Sequence, residues 1–176
     1  MSTSSVHAMH YGVHRWTIDI ESTPNEFRAR YEQAVPELPT EQVNDLVRRQ
    51  APWQEMINLL DTATPSGFFI YSKSELDQLM SLAGDHASCT SYLMGNHIIA
   101  ERMFRYEPAV MLYAPLHTTI WGAVGGPAHF TFDQPSDQFG SFGKPEVNAV
   151  GVELDRKLAA LLSGLGVGVP DALLTS

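Results

Sequence analysis

Two histidines, His97 and His117, stand where the sequence pattern favours chemistry on a small molecule. His97 follows the helix cap Asn96, and Glu101 comes four residues later, so His97 and Glu101 share one face of a predicted helix. The helix N-terminus stabilises a neutral imidazole, which suits a general base. We predict that His97 or His117 moves a proton, that Glu101 orients or relays it, and that Arg102 or the helix N-terminus steadies an oxyanion. The alternative is a solvent-facing capping pair.

His117 belongs to a predicted hairpin whose turn is marked by Gly125-Gly126. If these two glycines form the whole loop, Trp121 lies opposite Phe130. That register predicts an aromatic sheet face with two polar members, made of His117, Thr119, Trp121, Phe130 and Phe132. Small-molecule sites combine an apolar wall with a few polar groups in this way. The alternative is a core histidine with a structural hydrogen-bond partner, and the same register places His129 on the opposite face.

Composition narrows the chemistry further. The 176 residues include 11 Lys and Arg against 20 Asp and Glu, a net charge of −9 without a basic cluster, so we predict no nucleic-acid partner. Cys89 is the only cysteine, which excludes an intrachain disulfide. A metal held by His97, Glu101 and a third histidine is an alternative, but the sequence has no second spaced ligand pair. A haem is another alternative, but the sequence has no attachment motif for it. We therefore predict neither metal nor cofactor.

The spacing of apolar residues predicts the elements that must hold these side chains. Strands are predicted at 11–20, 68–71, 88–94, 110–113, 116–124 and 128–133. Helices are predicted at 24–34, 72–82, 97 to about 107 and 145–164, with a loop at 134–144. This order indicates an α+β fold of two layers, in which a mainly antiparallel sheet of about six strands carries helices on one face.

We predict a single domain over residues 1–176, with a helical insertion at about 36–64 and a loosely held tail from about 166. The insertion carries apolar residues at helical spacing, including Trp53, and forms either a lid over the aromatic face or part of a dimer interface. A secretory leader and an apolar run of the roughly 20 residues that span a membrane are both missing. We therefore expect a soluble, cytoplasmic protein without a membrane partner.

Several short motifs between Gly67 and Leu165 occur in the order of a known family. They are Gly95-Asn96, Glu107-Pro108, the run Val110 to Pro115, a strand through Trp121, the Gly-Gly turn and Asp133-Gln134-Pro135. This order resembles the domain-of-unknown-function family 302 (DUF302). The resemblance implies a small two-layer α+β fold, association as a homodimer and no settled activity. Two departures are His97, where the family commonly has proline, and the missing Asp-His pair in Lys73 to Asp77.

From these residues we predict a cofactor-independent isomerase, lyase or cyclase that acts on an apolar, oxygen-bearing metabolite in a pocket between sheet and helices. The predicted catalytic residues are His97, Glu101 and His117. The predicted substrate-binding residues are Trp121, Thr119, Phe130, Phe132, Arg102 and Trp53. The alternatives are a non-catalytic module that binds a hydrophobic ligand, haem or metal, and a homodimeric interaction protein.

Overall fold

A computed structural model describes residues 4–61 and 63–175. Residues 1–3, 62 and 176, which the predicted domain, insertion and tail include, lie outside the described residues. The strands are β1 (Arg15–Ile20), β2 (Phe69–Glu75), β3 (Ala87–Gly95), β4 (Leu116–Ala123) and β5 (Ala128–Asp133). The helices are α1 (Pro24–Ala34), α2 (Thr40–Arg48), α3 (Trp53–Asp61), α4 (Asp77–Ser81), α5 (His97–Phe104), α6 (Pro135–Gly140), α7 (Pro145–Gly164), α8 (Ala172–Thr175) and a 3₁₀ helix (Pro108–Leu112).

The five strands form one antiparallel sheet in the order β1-β5-β4-β3-β2. One face packs against α1, α5 and α7 to form the main core, and the other is open. The predicted α+β class is confirmed, but across residues 4–61 and 63–175 the sheet has five strands rather than about six. The strand predicted at 110–113 is instead the end of the 3₁₀ helix and its C-cap, Tyr113. Pro108 starts that helix, and the Glu107 side chain caps it by accepting from Ala109 N.

The capping and proline signals in the sequence predicted α1 and α7 correctly. The capping box of α1 is present: the Glu26 carboxylate accepts from Thr23 N at 2.9 Å, and the Thr23 hydroxyl accepts from Glu26 N at 3.4 Å. Pro145 starts α7, and that helix ends at Gly164 as predicted. Proline at the first helical position and a reciprocal cap are local features, so the sequence alone identifies them.

Two predicted segments differ because contacts from distant residues decide them. The helix predicted at 72–82 is the second half of β2, whose backbone pairs with β3, followed by the short α4. The loop predicted at 134–144 contains α6. Fully buried Asp155 of α7 holds the start of α6, because its carboxyl oxygens accept from Ser136 N and from the Gln134 side-chain amide, both at 2.9 Å.

A second apolar cluster lies under the predicted insertion. We call it the α2–α3 cluster; its buried members are Val43, Leu46, Met56, Leu60 and Phe69. The segment before α2 also pairs with β2, since Leu38 N donates to Ile70 O at 2.9 Å. The predicted tail from about 166 includes α8, whose Leu173 is fully buried in the main core.

The register between β4 and β5 differs by one residue from the predicted one. Trp121 lies opposite His129, and Ile120 lies opposite Phe130. The turn uses Gly125 at φ +74° as its third residue, with Gly126 N bonded to Ala123 O, so the two glycines are not centred in the loop. A one-residue shift exchanges the two faces of a strand.

This shift divides the predicted aromatic face between the two sides of the sheet. Phe130 and Phe132 are buried in the main core. His117, Thr119 and Trp121 instead alternate along the open face of β4. The single aromatic surface expected from the sequence is therefore wrong.

Within residues 4–61 and 63–175, none of the helices combines the length and apolar character needed to span a membrane. The longest, α7, has 20 residues and buries one side in the main core.

We predict that Gly122→Ala destabilises the fold by roughly 1–3 kcal/mol or more, because core overpacking has costs of that size. A Cβ atom at residue 122 would lie 2.4 Å from the backbone oxygen of Pro127 and 3.1 Å from Cγ of Pro24. Urea unfolding of both proteins measures the difference. Gly164→Ala is the matched control, because its Cβ would have no atom within 4 Å. Equal stability of Gly122→Ala and wild type would contradict the observed register.

Candidate functional site

A cavity of about 180 Å³ lies where β3 ends and β4 begins, beneath α5, α6, α7 and the 3₁₀ helix. Its wall is largely apolar. It is lined by Tyr71, Gly95, Asn96, His97, Ile99, Ala100, Met103, Met111, Ala114, Pro115, Leu116, Phe139 and Leu154. The cavity therefore sits between sheet and helices, the place predicted for a small-molecule pocket.

His97 reaches this cavity because the chain leaves the sheet at Gly95 and starts α5 within two residues. Asn96 fixes that change of direction with both ends of its side chain. Its Oδ1 accepts from Ile98 N at 2.8 Å, and its Nδ2 donates to Gly67 O at 3.0 Å. Both ends of the Asn96 amide therefore help to position the first helical turn, and His97 occupies the first position of α5.

Tyr71 lies beside His97 on the cavity wall. The two rings meet edge to face, with centroids 4.8 Å apart and an interplanar angle of 81°. Burial raises the pKa of the Tyr71 phenol, and a hydrogen bond with the backbone of His97 opposes that rise only in part. The phenol is therefore neutral at physiological pH and adds no charge to the cavity.

The imidazole of His97 is the one side chain in this lining that can act as a base near neutral pH, because burial raises the pKa of the Tyr71 phenol. Within residues 4–61 and 63–175, its ring nitrogens have no hydrogen-bond partner. Burial lowers its pKa below the ordinary 6.5, because desolvation disfavours the charged form. A neutral imidazole can donate to or accept from a ligand oxygen and can also remove a proton.

Glu101 and Arg102 do not join His97. Both carboxylate oxygens of Glu101 accept from the Arg105 guanidinium at 2.6 Å, one helical turn further along α5. Arg102 makes a two-point ion pair with Glu153 of α7, at 3.1 and 2.8 Å. Neither side chain lines the cavity. The expected relay and oxyanion partner are instead surface ion pairs.

His117 faces away from the cavity, although its neighbour Leu116 lines it. The His117 Nε2 atom is hydrogen-bonded to the Ser91 hydroxyl at 2.6 Å on the open face. Thr119 and Trp121 share that face, and the Trp121 indole donates to Thr131 at 2.9 Å while stacking near His129. The structure therefore does not bring the two candidate histidines together.

The other predicted binding residues also lie elsewhere. Phe130 and Phe132 pack in the main core, and neither is part of the cavity lining. Trp53 begins α3 with 43% of its surface exposed. The sequence reasoning missed Tyr71, Met103 and most of the apolar lining, because only the paths of β2 and α5 bring these residues to one place.

The described part of the chain contains no group of three His, Cys, Asp or Glu side chains arranged to hold a metal ion. Cys89 is half-buried on the open side of β3, and burial raises the pKa of its thiol. A raised thiol pKa reduces the thiolate that a nucleophile requires.

Comparison with known proteins finds no matching family model and no matching curated protein. Among solved structures, the crystal structure of an uncharacterized conserved DUF302 protein from Bacillus stearothermophilus matches with a TM-score of 0.60. The match covers 85% of this chain and 95% of that chain, at 16% sequence identity. This chain has a DUF302-like fold. The DUF302 resemblance of the sequence is thereby confirmed for the fold.

Proposed function

We propose that the protein binds a small, uncharged, mainly apolar molecule in the cavity and holds its one oxygen-bearing group against His97. The observation that supports this proposal is an imidazole without a protein partner on the wall of an otherwise apolar cavity. Apolar pockets with a few convergent polar groups are the usual form of a small-molecule site.

The cavity volume limits the size of the ligand. A dry apolar cavity of about 150 Å³ accepts a benzene-sized molecule. A volume of about 180 Å³ therefore suits a single substituted ring or a short branched chain. A haem macrocycle is much larger, so we do not extend the proposal to haem.

The lining also limits the charge of the ligand. The polar side chains of the lining are the uncharged Asn96 amide, the Tyr71 phenol, whose pKa burial raises, and the His97 imidazole, whose pKa burial lowers. An ionised ligand would lose its hydration with no opposite charge to replace it, which costs several kcal/mol or more. A ketone, alcohol or aldehyde loses little hydration free energy, because a hydrogen bond with His97 replaces one with water.

Proton transfer by His97 is the second candidate function. It is favoured by the position of a partly buried, neutral imidazole on the cavity wall, where it can act as a general base at neutral pH. In an isomerase of this kind, His97 would remove a proton from the carbon next to the ligand carbonyl and return it to a different carbon of the resulting enolate. In a lyase or cyclase, the electron pair left on that carbon would instead expel a leaving group or form the ring-closing bond. Glu101, Arg102 and His117 have no part in this version, because other side chains engage them.

The homodimer implied by the DUF302 resemblance is also a proposal. We place its interface on the open sheet face, which the helices leave uncovered and where Trp121 and Leu93 expose 39% and 36% of their surfaces. A cytoplasmic location likewise stays a prediction.

Ala100→Leu is expected to block ligand binding. Ala100 lines the cavity from α5, and three further carbons would fill its volume while keeping a good helix former in the helix. We expect the affinity of the Ala100→Leu variant for cyclohexanone, measured by ligand-observed NMR, to fall at least about tenfold. Ala160→Leu makes the same change on the exposed side of α7 and should bind as wild type does. Undiminished binding by Ala100→Leu would place the ligand elsewhere.

If His97 transfers protons, the protein will accelerate exchange of the cyclohexanone α-protons with deuterium from solvent. The rate should fall as pH decreases through a midpoint below 6.5, because the neutral imidazole is the base and burial lowers its pKa. His97→Gln should abolish the acceleration, whereas His86→Gln, an exposed control, should keep it. Binding without accelerated exchange would rule out the enzyme and leave the non-catalytic module.

The dimer proposal predicts a mass of two chains in sedimentation equilibrium, where one chain is 19.5 kDa. Trp121→Lys should shift that equilibrium to one chain, because it places a charge in the middle of the proposed interface. A single-chain mass for the wild type across micromolar concentrations would contradict the proposal.

A further inference from the structure

We infer that Tyr71 sets the largest ligand that the cavity accepts, because its ring separates the cavity from the α2–α3 cluster. This inference rests on the proposed function and concerns the same site. Tyr71 lines the cavity on one side and packs against the α2–α3 cluster on the other. Its ring is thus a wall between the cavity and a second apolar region.

A β-bulge places the ring in this position. Ile70 lies opposite Met94 and Ser72 lies opposite Leu93, so Tyr71 is the extra residue of β2 and has no partner on β3. A bulge re-aims the side chain of its extra residue relative to the regular alternation of the strand. Tyr71 can therefore turn toward the end of the sheet, whereas a regularly paired residue would point to one of the two faces.

Tyr71 and Pro115 both lie close to Gly95, the last residue of β3. A Cβ atom at residue 95 would lie 3.5 Å from Cε2 of Tyr71 and 3.4 Å from Cβ of Pro115. Tyr71 and Pro115, which both line the cavity, thus approach each other across the glycine.

The region behind the ring is held in place independently of Tyr71. Leu60 and Phe69 of the α2–α3 cluster are buried, and the segment before α2 is hydrogen-bonded to β2 on both sides of Ile70. Ile70 N donates to Pro36 O, and Leu38 N donates to Ile70 O, both at 2.9 Å. Removal of the ring should therefore leave an added volume that joins the cavity, since surrounding cores collapse only partly.

Binding of cyclic ketones of increasing ring size, from cyclopentanone through cyclohexanone and cyclooctanone to cyclododecanone, tests this inference. Wild type should bind the small rings and discriminate against cyclooctanone. Tyr71→Ala should gain at least about tenfold in affinity for cyclooctanone relative to cyclohexanone. Tyr71→Phe should restore the wild-type size limit, because the ring and not the hydroxyl forms the wall. Tyr106→Ala removes an exposed tyrosine outside the cavity and should keep that limit.

The possible outcomes separate this inference from the proposed function. If no cyclic ketone binds to wild type, the proposed function fails and the inference fails with it. If the small rings bind but the size limit is the same in Tyr71→Ala, the inference alone is wrong. Should Tyr71→Ala fail to fold, Tyr71→Leu replaces the ring with a smaller apolar side chain, and an unchanged size limit in that variant contradicts the inference equally.

Discussion

The alternation of side chains along β4 is the constraint on which the rest of the structure depends. Leu116, Thr118 and Ile120 point toward the helices, so His117, Thr119 and Trp121 must point to the open face. Because only one face of the sheet is covered, a shift of one residue would expose the core and bury the polar set. The register therefore decides which candidate residues can meet at the cavity, and it admits Leu116 while excluding His117.

The chain exit at Gly95 is the second determinant of the site. β3 ends there, Asn96 anchors the turn with two hydrogen bonds, and His97 begins α5 at the cavity wall. Ion pairs on α5 and α7 engage Glu101 and Arg102 at the surface, which leaves the cavity without charge. A desolvated imidazole in such surroundings stays neutral, and this property connects the fold to binding of an uncharged ligand.

The sequence predicted most of the fold because local signals determine it. The capping box of Thr23 and Glu26, the starting proline of α7 and the cap at Asn96 each act within four residues. The arrangement of the site depends on contacts between residues far apart in the sequence. His97 was predicted from its position after the cap, but the bulge at Tyr71 and the off-centre turn at Gly125 arise from pairing between strands and could not be recognised from one sequence.

The central claim is that an uncharged ligand lies in the cavity with its oxygen near the imidazole of His97. The most direct measurement is a nuclear Overhauser experiment between cyclohexanone and isotope-labelled protein. The account predicts contacts from the ligand protons to the methyl group of Met103 and to the ring of His97, both of which line the cavity. Contacts to Trp121 and His129 instead would place the ligand on the open face of the sheet and contradict the account.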